Sequence, residues 1–201
     1  MVDNSFNDSE PFQAEPSEFL NFLFDWAETI AQALIIIIFV LTFVFRVFTV
    51  KGNSMFPNLH NDDKVFVWKY NYVPTKGDVV VVKKFGNVDE SIVKRVIATE
   101  GDTFYIDFDR GAVYVNGKLL NETYINHEEE NPMIRKAEDS LEPPSVIPKG
   151  TCFVMGDNRN HSSDSRSVYI GGVIDYKDIV GVVKYKYFPF YRIGNVPREV
   201  G

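Results

Sequence analysis

SIVKRVIAT, at Ser91–Thr99, is dense in β-branched residues, a composition that favours a strand over a helix. Alternation sets Ile92, Lys94 and Val96 on one face and Val93, Arg95 and Ile97 on the other. The neighbouring segments read the same way: KVFVWKY at Lys64–Tyr70, DVVVVKKF at Asp78–Phe85 and TFYIDF at Thr103–Phe108. Asn116-Gly117, between Ala112–Val115 and Lys118–Leu120, is a two-residue hairpin signal. Residues 121–148 are polar, carry Glu128–Glu130 and Pro143-Pro144, and read as loop. Strands resume at Thr151–Met155 and Ile179–Phe188. The expected fold is mainly β. An antiparallel sheet domain at 51–201 carries a small inserted hairpin and loop excursion at about 103–150.

One stretch departs from this pattern. Ile30–Phe45, IAQALIIIIFVLTFVF, has no charge, and its apolar residues surround the helix. Counted on through Arg46 to Val50, it gives about 32 Å of helix at ~1.5 Å per residue, enough for a hydrocarbon core of roughly 30 Å. Trp26 marks an interfacial edge, and residues 26–50 are expected to be a transmembrane anchor. A cleavable signal needs a basic n-region and a small-residue exit, and neither is present. The nearest cations, Arg46 and Lys51, follow the span, which by the positive-inside rule places the following domain in the cytoplasm.

The charge is equally lopsided. Of 201 residues with a net charge of −7, Asp3, Asp8, Glu10, Glu15, Glu18, Asp25 and Glu28 lie in the first 29, where there is no Lys or Arg. The remainder is neutral. Residues 1–25 read as a disordered acidic tail. The absence of a basic surface argues against nucleic acid as a partner. The single cysteine, Cys152, excludes an internal disulfide and a CxxC zinc site.

Three segments hold candidate chemistry. Ser54, in GNSMFPNL (52–59), lies within roughly 30 Å of extended chain from Phe45, so its hydroxyl works near the membrane. A lone loop serine is usually a turn former. Lys94 sits between two β-branched residues on its strand face. Snorkelling outward is the bland reading. If desolvated, it falls toward neutrality; moving its pKa from ~10.4 to ~7 costs about 4.6 kcal/mol, and a neutral amine can deprotonate a serine. The run GDNRNHSSDSR (156–166) reads either as a solvated loop with weak surface ion pairs or as a hydrogen-bonded scaffold for a catalytic amine.

In their order along the chain, these segments resemble the type I signal peptidases of the Gram-positive kind. GNSMFPNL is similar to the nucleophile box, KGDVVVV (76–82) to the strand box after it, VKRVIATEGD (93–102) to the lysine box, and GDNRNHSSDSR to the last box. The resemblance covers about residues 26–193. It implies the signal-peptidase type of antiparallel sheet and a Ser-Lys dyad with Ser54 as nucleophile and Lys94 as base. It further implies Ser162 as the hydroxyl that orients the lysine, and Asp157, Arg159, Asp164 and Arg166 as the supporting network. The substrates implied are exported preproteins, cut after small residues at −3 and −1, with no metal or cofactor. It also puts the catalytic domain on the extracytoplasmic side of the cell membrane, against the count of basic residues, and that topology is the one adopted. Two departures stand out. Ala98-Thr99-Glu100-Gly101-Asp102 replaces the GLPGD common in the family. Gly52 stands where some relatives have a serine that helps form the oxyanion hole, so the backbone N–H of Ser54 carries more of that task.

The rivals fit less well. A Ser-His-Asp triad would draw on His60, His127 or His161, but Phe56 breaks the G-x-S-x-G elbow. Cys152 follows a strand pattern and suits a core position. Self-cleaving repressors share a Ser-Lys pair but carry a DNA-binding domain where this chain has its apolar span. An inactive, membrane-tethered binding protein of the same fold is the alternative from another class. An apolar rim of Met55, Phe56 and Tyr185–Tyr191 is suited either to lipid contact or to core packing.

Overall fold

The computed structural model describes residues 18–83, 91–127, 133–138 and 143–198. The first seventeen residues of the expected acidic tail, and Lys84 and Phe85, lie outside these. Helix α1, Glu18–Phe43, is long and apolar enough to cross a membrane, and none of its residues is buried. It differs from the expected span at both ends. Residues 18–25, read as disordered tail, are helical, and residues 45–49 are not. They form strand β1, Phe45–Thr49, paired with β2, Lys64–Trp68. FRVFT holds two aromatic and two β-branched residues, and β2 offers it a full antiparallel register from Phe45 opposite Trp68 to Thr49 opposite Lys64.

The second unit of the chain, from Leu41 on, carries two sheets whose strands are all paired antiparallel among the described residues. Its larger sheet adds β3 (Val79–Val82), β4 (Ile92–Thr99), β8 (Thr151–Met155), β9 (Ile174–Asp175), β10 (Ile179–Phe188) and β11 (Gly194–Asn195). The order is β1-β2-β10-β3-β4-β8-β9, with β11 on the flank of β10. A smaller sheet, β5 (Phe104–Asp107), β6 (Ala112–Val115) and β7 (Lys118–Leu119), is the inserted excursion. Asn116 and Gly117 turn its hairpin, both with positive φ, at 53° and 73°. That is the pairing a two-residue primed turn requires.

Alternation holds along β4 up to a bulge. Val96, with Val80, Val82, Cys152 and Val154, belongs to one cluster, and Val93, with Val79 and Val81, to another. Between Val96 and Ala98 the register to β8 slips. Beyond it Ile97 and Ala98 both join the core under the small sheet, with Phe104, Val113, Phe153 and Met155. The central strands β3 and β8 are buried on both faces, which is why VVVV and TCFVM read as continuous apolar-type runs rather than alternating ones.

Met55 is a core residue, packed with Leu59, Val65 and Val67, and Phe56 is half-buried. Of the aromatic rim, Phe190 and Tyr191 are exposed, at 77% and 83%. The rim is therefore divided: Met55 belongs to the core, and Phe190 and Tyr191 stay exposed.

Candidate active site

Ser54 lies in the loop between β1 and β2, and Lys94 lies mid-strand on β4. The sheet brings them together across 40 residues of sequence: Lys94 Nζ is 2.7 Å from Ser54 Oγ. Nζ also donates to its neighbour's carbonyl, Val93 O, at 3.1 Å. The lysine is 4% exposed. Burial pulls its pKa down to about 8; the carboxylates of Asp164 and Asp157 work against that shift, and the Arg166 charge works with it. A large fraction of neutral amine near pH 8, within hydrogen-bond reach of a hydroxyl, is what a serine nucleophile needs from its base.

The 156–166 run is not a solvated loop. Asp157, Arg159, Ser162, Asp164 and Arg166 are all buried. Asp164 holds Arg166 through two hydrogen bonds of 2.8 Å and accepts the Gly156 N–H at 2.9 Å. Burial alone raises the Asp164 pKa, but the Arg166 charge and these bonds hold it at about 2. Arg166 also caps the Arg159 carbonyl at 2.8 Å. The loop then grips the serine: Asn158 N–H donates to Ser54 O at 3.0 Å, and its side-chain amide donates to Asn53 O at 3.2 Å. The Ser54 N–H donates no hydrogen bond among the described residues, which leaves it free to meet a developing oxyanion. Gly52 has a φ of 76°, a conformation that favours glycine, with its N–H on Asn61 Oδ1 at 2.9 Å.

Ser162 is buried in the same loop. Its Oγ is buried beside the Asp164 carboxylate, yet it makes no well-aligned hydrogen bond, and Lys94 does not donate to it. Gly156 is pressed between Ser162 and the Ser54 carbonyl; a Cβ there would collide with both. Gly156→Ala is expected to destabilise the fold by ~1–3 kcal/mol through overpacking. By displacing Ser54 it should slow turnover roughly 10²-fold. Urea unfolding and kcat on the same preparation check both.

Several residues of the site were given no role in the sequence, two of them (Asn58 and Arg95) inside the motif segments and two (Glu122 and Tyr124) outside them. Arg95, wholly buried, makes a two-pronged pair with Asp157 at 2.7 Å on each arm, and its third nitrogen bonds the carbonyls of Gly77 and Pro197. The Tyr124 ring covers that guanidinium at 4.1 Å. Asn58 bridges Asp157 (2.8 Å) and Tyr124 O (2.7 Å), and Glu122 forms a two-pronged pair with Arg159. The signal for Arg95 was a charge set between Val93 and Ile97 on one strand face, since buried arginines are almost always paired. No signal marked the others. Of the histidines, His60 contacts buried Asp63 rather than Ser54. Cys152 is a core residue whose thiol is pushed up to about 12 by burial. A cavity of about 470 Å³ runs along β5 beside Arg135 and Pro143 and includes neither Ser54 nor Lys94.

Comparison with known proteins supplies the family. The model of the signal peptidase, peptidase S26, family matches residues 23–188. Signal peptidase I of Bacillus licheniformis is 36% identical over 181 residues, covering 86% of this chain and 92% of its own. Signal peptidase I P of Bacillus subtilis subsp. natto is 38% identical over 180 residues, covering 85% and 92%. Signal peptidase IB of Staphylococcus aureus is 34% identical over 180 residues, covering 84% and 91%. A crystal structure of a signal peptidase I from Enterococcus faecalis V583 aligns with 55% of this chain and 97% of its own, at 28% identity and a TM-score of 0.43. Matched from residue 23 to residue 188, and similar to such relatives over most of their length, the chain belongs to the signal peptidase S26 family of serine endopeptidases.

Proposed function

We propose that the protein is a membrane-anchored endopeptidase that removes N-terminal signal peptides from exported preproteins by a Ser54–Lys94 acyl-enzyme mechanism. The observation that carries this reading is the 2.7 Å contact between a buried lysine amine and a serine hydroxyl. Helix α1 spans the bilayer, and the sheet domain works on the extracytoplasmic side, where translocated signal peptides emerge. The substrate binds extended, along a sheet edge, with small residues at −3 and −1.

Neutral Lys94 takes the Ser54 proton as Oγ attacks the scissile carbonyl. The oxyanion forms against the Ser54 N–H. Lys94 then passes its proton to the departing amine, which is the new N-terminus of the mature protein. The signal peptide's terminal carbonyl remains esterified to Ser54. Lys94 next deprotonates a water that attacks the ester, and the returning proton restores the Ser54 hydroxyl. Asn158, bonded to the carbonyls of Ser54 and Asn53, fixes the backbone that carries the nucleophile. Ser162 and the Asp157, Arg159, Asp164 and Arg166 network hold the loop around the pair.

The test is cleavage of a purified preprotein by the enzyme in liposomes, with the cut site read by mass spectrometry. Wild type should cut once, after a small residue, and Ser54→Ala should not cut. Cleavage by Ser54→Ala removes the mechanism. A folded wild type that binds several preproteins and cuts none would instead be the tethered binding protein.

A further inference from the structure

The 156–166 loop is anchored from outside the four motif segments. Arg159 is 1% exposed, and its guanidinium meets the carboxylate of Glu122 through both terminal nitrogens. Glu122 follows β7, at the end of the small inserted sheet. Its side chain is 7% exposed, and it also accepts the Tyr124 hydroxyl at 2.8 Å. Tyr124, two residues on, covers the Arg95 guanidinium with its ring and through its carbonyl holds Asn58, four residues after Ser54. Asn126 N–H then donates to the Asp157 carbonyl at 3.1 Å. Three alternate residues of one short segment thus touch three parts of the site: Arg159, the Arg95–Asp157 pair, and the Ser54 loop.

What this segment holds is the geometry of Gly156. The Arg159 Nε–H donates to the Gly156 carbonyl at 3.1 Å, while Asp164 accepts the Gly156 N–H. Gly156 is the residue packed against the Ser54 carbonyl and Ser162. If Arg159 lost its carboxylate, a buried cation would be left uncompensated, and it would turn toward Asp157 or pull water into the loop. Either response moves Gly156, and with it Ser54.

We propose that Glu122 and Tyr124 are positioning residues for the Ser54–Lys94 reaction: the inserted sheet is a clamp that sets the nucleophile through Arg159 and Arg95. This rests on the Ser-Lys reading above. Neither residue touches the reacting atoms, so both act on turnover rather than on substrate binding.

The experiment is steady-state cleavage of a preprotein by the full-length enzyme in liposomes. Glu122→Gln, Glu122→Asp and the double variant Glu122→Gln/Arg159→Gln are compared at a temperature where circular dichroism shows each to be folded. Glu122→Gln should lower kcat at least tenfold with KM within twofold. Glu122→Asp, which keeps the charge, should recover most of that loss. The double variant, which strands no cation, should recover at least threefold over Glu122→Gln. A Glu122→Gln enzyme with kcat within twofold of wild type, even at a lower Tm, overturns the proposal, as does a loss that lies in KM. If Glu122→Gln does not fold, Tyr124→Leu removes the cover from Arg95 and leaves Glu122 on Arg159. It should show the same loss confined to kcat, and an unchanged kcat overturns the clamp. Ser54→Ala runs alongside. Residual cleavage there means that the Ser-Lys reading has failed and the clamp with it, whereas no cleavage there together with an unchanged Glu122→Gln kcat overturns the clamp alone.

Discussion

Lys94→Met is expected to abolish cleavage while making the protein more stable. The methionine keeps much of the volume and the apolar stem but removes the base that Ser54 Oγ faces at 2.7 Å. Loss of one member of a serine nucleophile's machinery lowers turnover by roughly 10⁴-fold or more. Stability moves the other way because the buried amine is a burden to the fold. Its pKa falls from 10.5 in the unfolded chain to about 8 in the folded one, so the folded state resists the charged form. Below pH 8 both states hold the proton, and the folded state carries the full penalty, of order 3 kcal/mol. Between pH 8 and 10.5 the unfolded chain binds more protons than the folded one, so wild-type stability rises with pH across that window. Lys94→Met should therefore exceed wild type by up to about 3 kcal/mol at neutral pH, with the advantage vanishing as pH climbs through that window. Urea unfolding of the two proteins at neutral and alkaline pH measures the difference. Equal stability at all pH values would mean that the amine is not desolvated.

Asp157→Ala is expected to be the most destabilising single change in the site. Arg95 and Asp157 are both wholly buried, and Asp157 takes both arms of the guanidinium together with the Asn58 amide. Removing the carboxylate strands a cation under Tyr124 with only the Gly77 and Pro197 carbonyls to hold it. Breaking one side of a buried pair typically costs about 3–5 kcal/mol. Replacing both sides with apolar residues of similar volume is far milder. Arg95→Met/Asp157→Leu should therefore regain at least half of the stability lost in Asp157→Ala, as read from thermal or urea unfolding. A double variant as unstable as the single one would show that the penalty comes from lost packing rather than from a stranded charge.

The strands of this fold were legible because their composition is uniform: each valine run and the Asn116-Gly117 turn state a local preference that the tertiary structure keeps. The end of α1 was less so. Val44 to Val50 is apolar enough to continue a helix, and only the free edge of β2 draws it into a strand. Lys94 and Ser54 were readable from motif order, and alternation correctly separated Lys94 from Arg95. Arg95 itself was not assigned a role, although alternation set its charge on one face with Val93 and Ile97. Met55 was left open between a lipid-facing rim and the core, and its partners Leu59, Val65 and Val67, which decide for the core, are brought to it only by folding. Asn58, Glu122 and Tyr124 meet the site through contacts 37 to 99 residues away, which no local pattern encodes.

The pH dependence of kcat/KM for preprotein cleavage tests the pairing of Ser54 with Lys94 most directly. The free enzyme must hold Lys94 neutral, so the rate should rise about tenfold per pH unit on the acid side and level off through one ionisation near 8. A profile governed instead by a group near ~6.5, and lost on replacing His60, His127 or His161, would mean that a histidine is the base and that the buried lysine has another task.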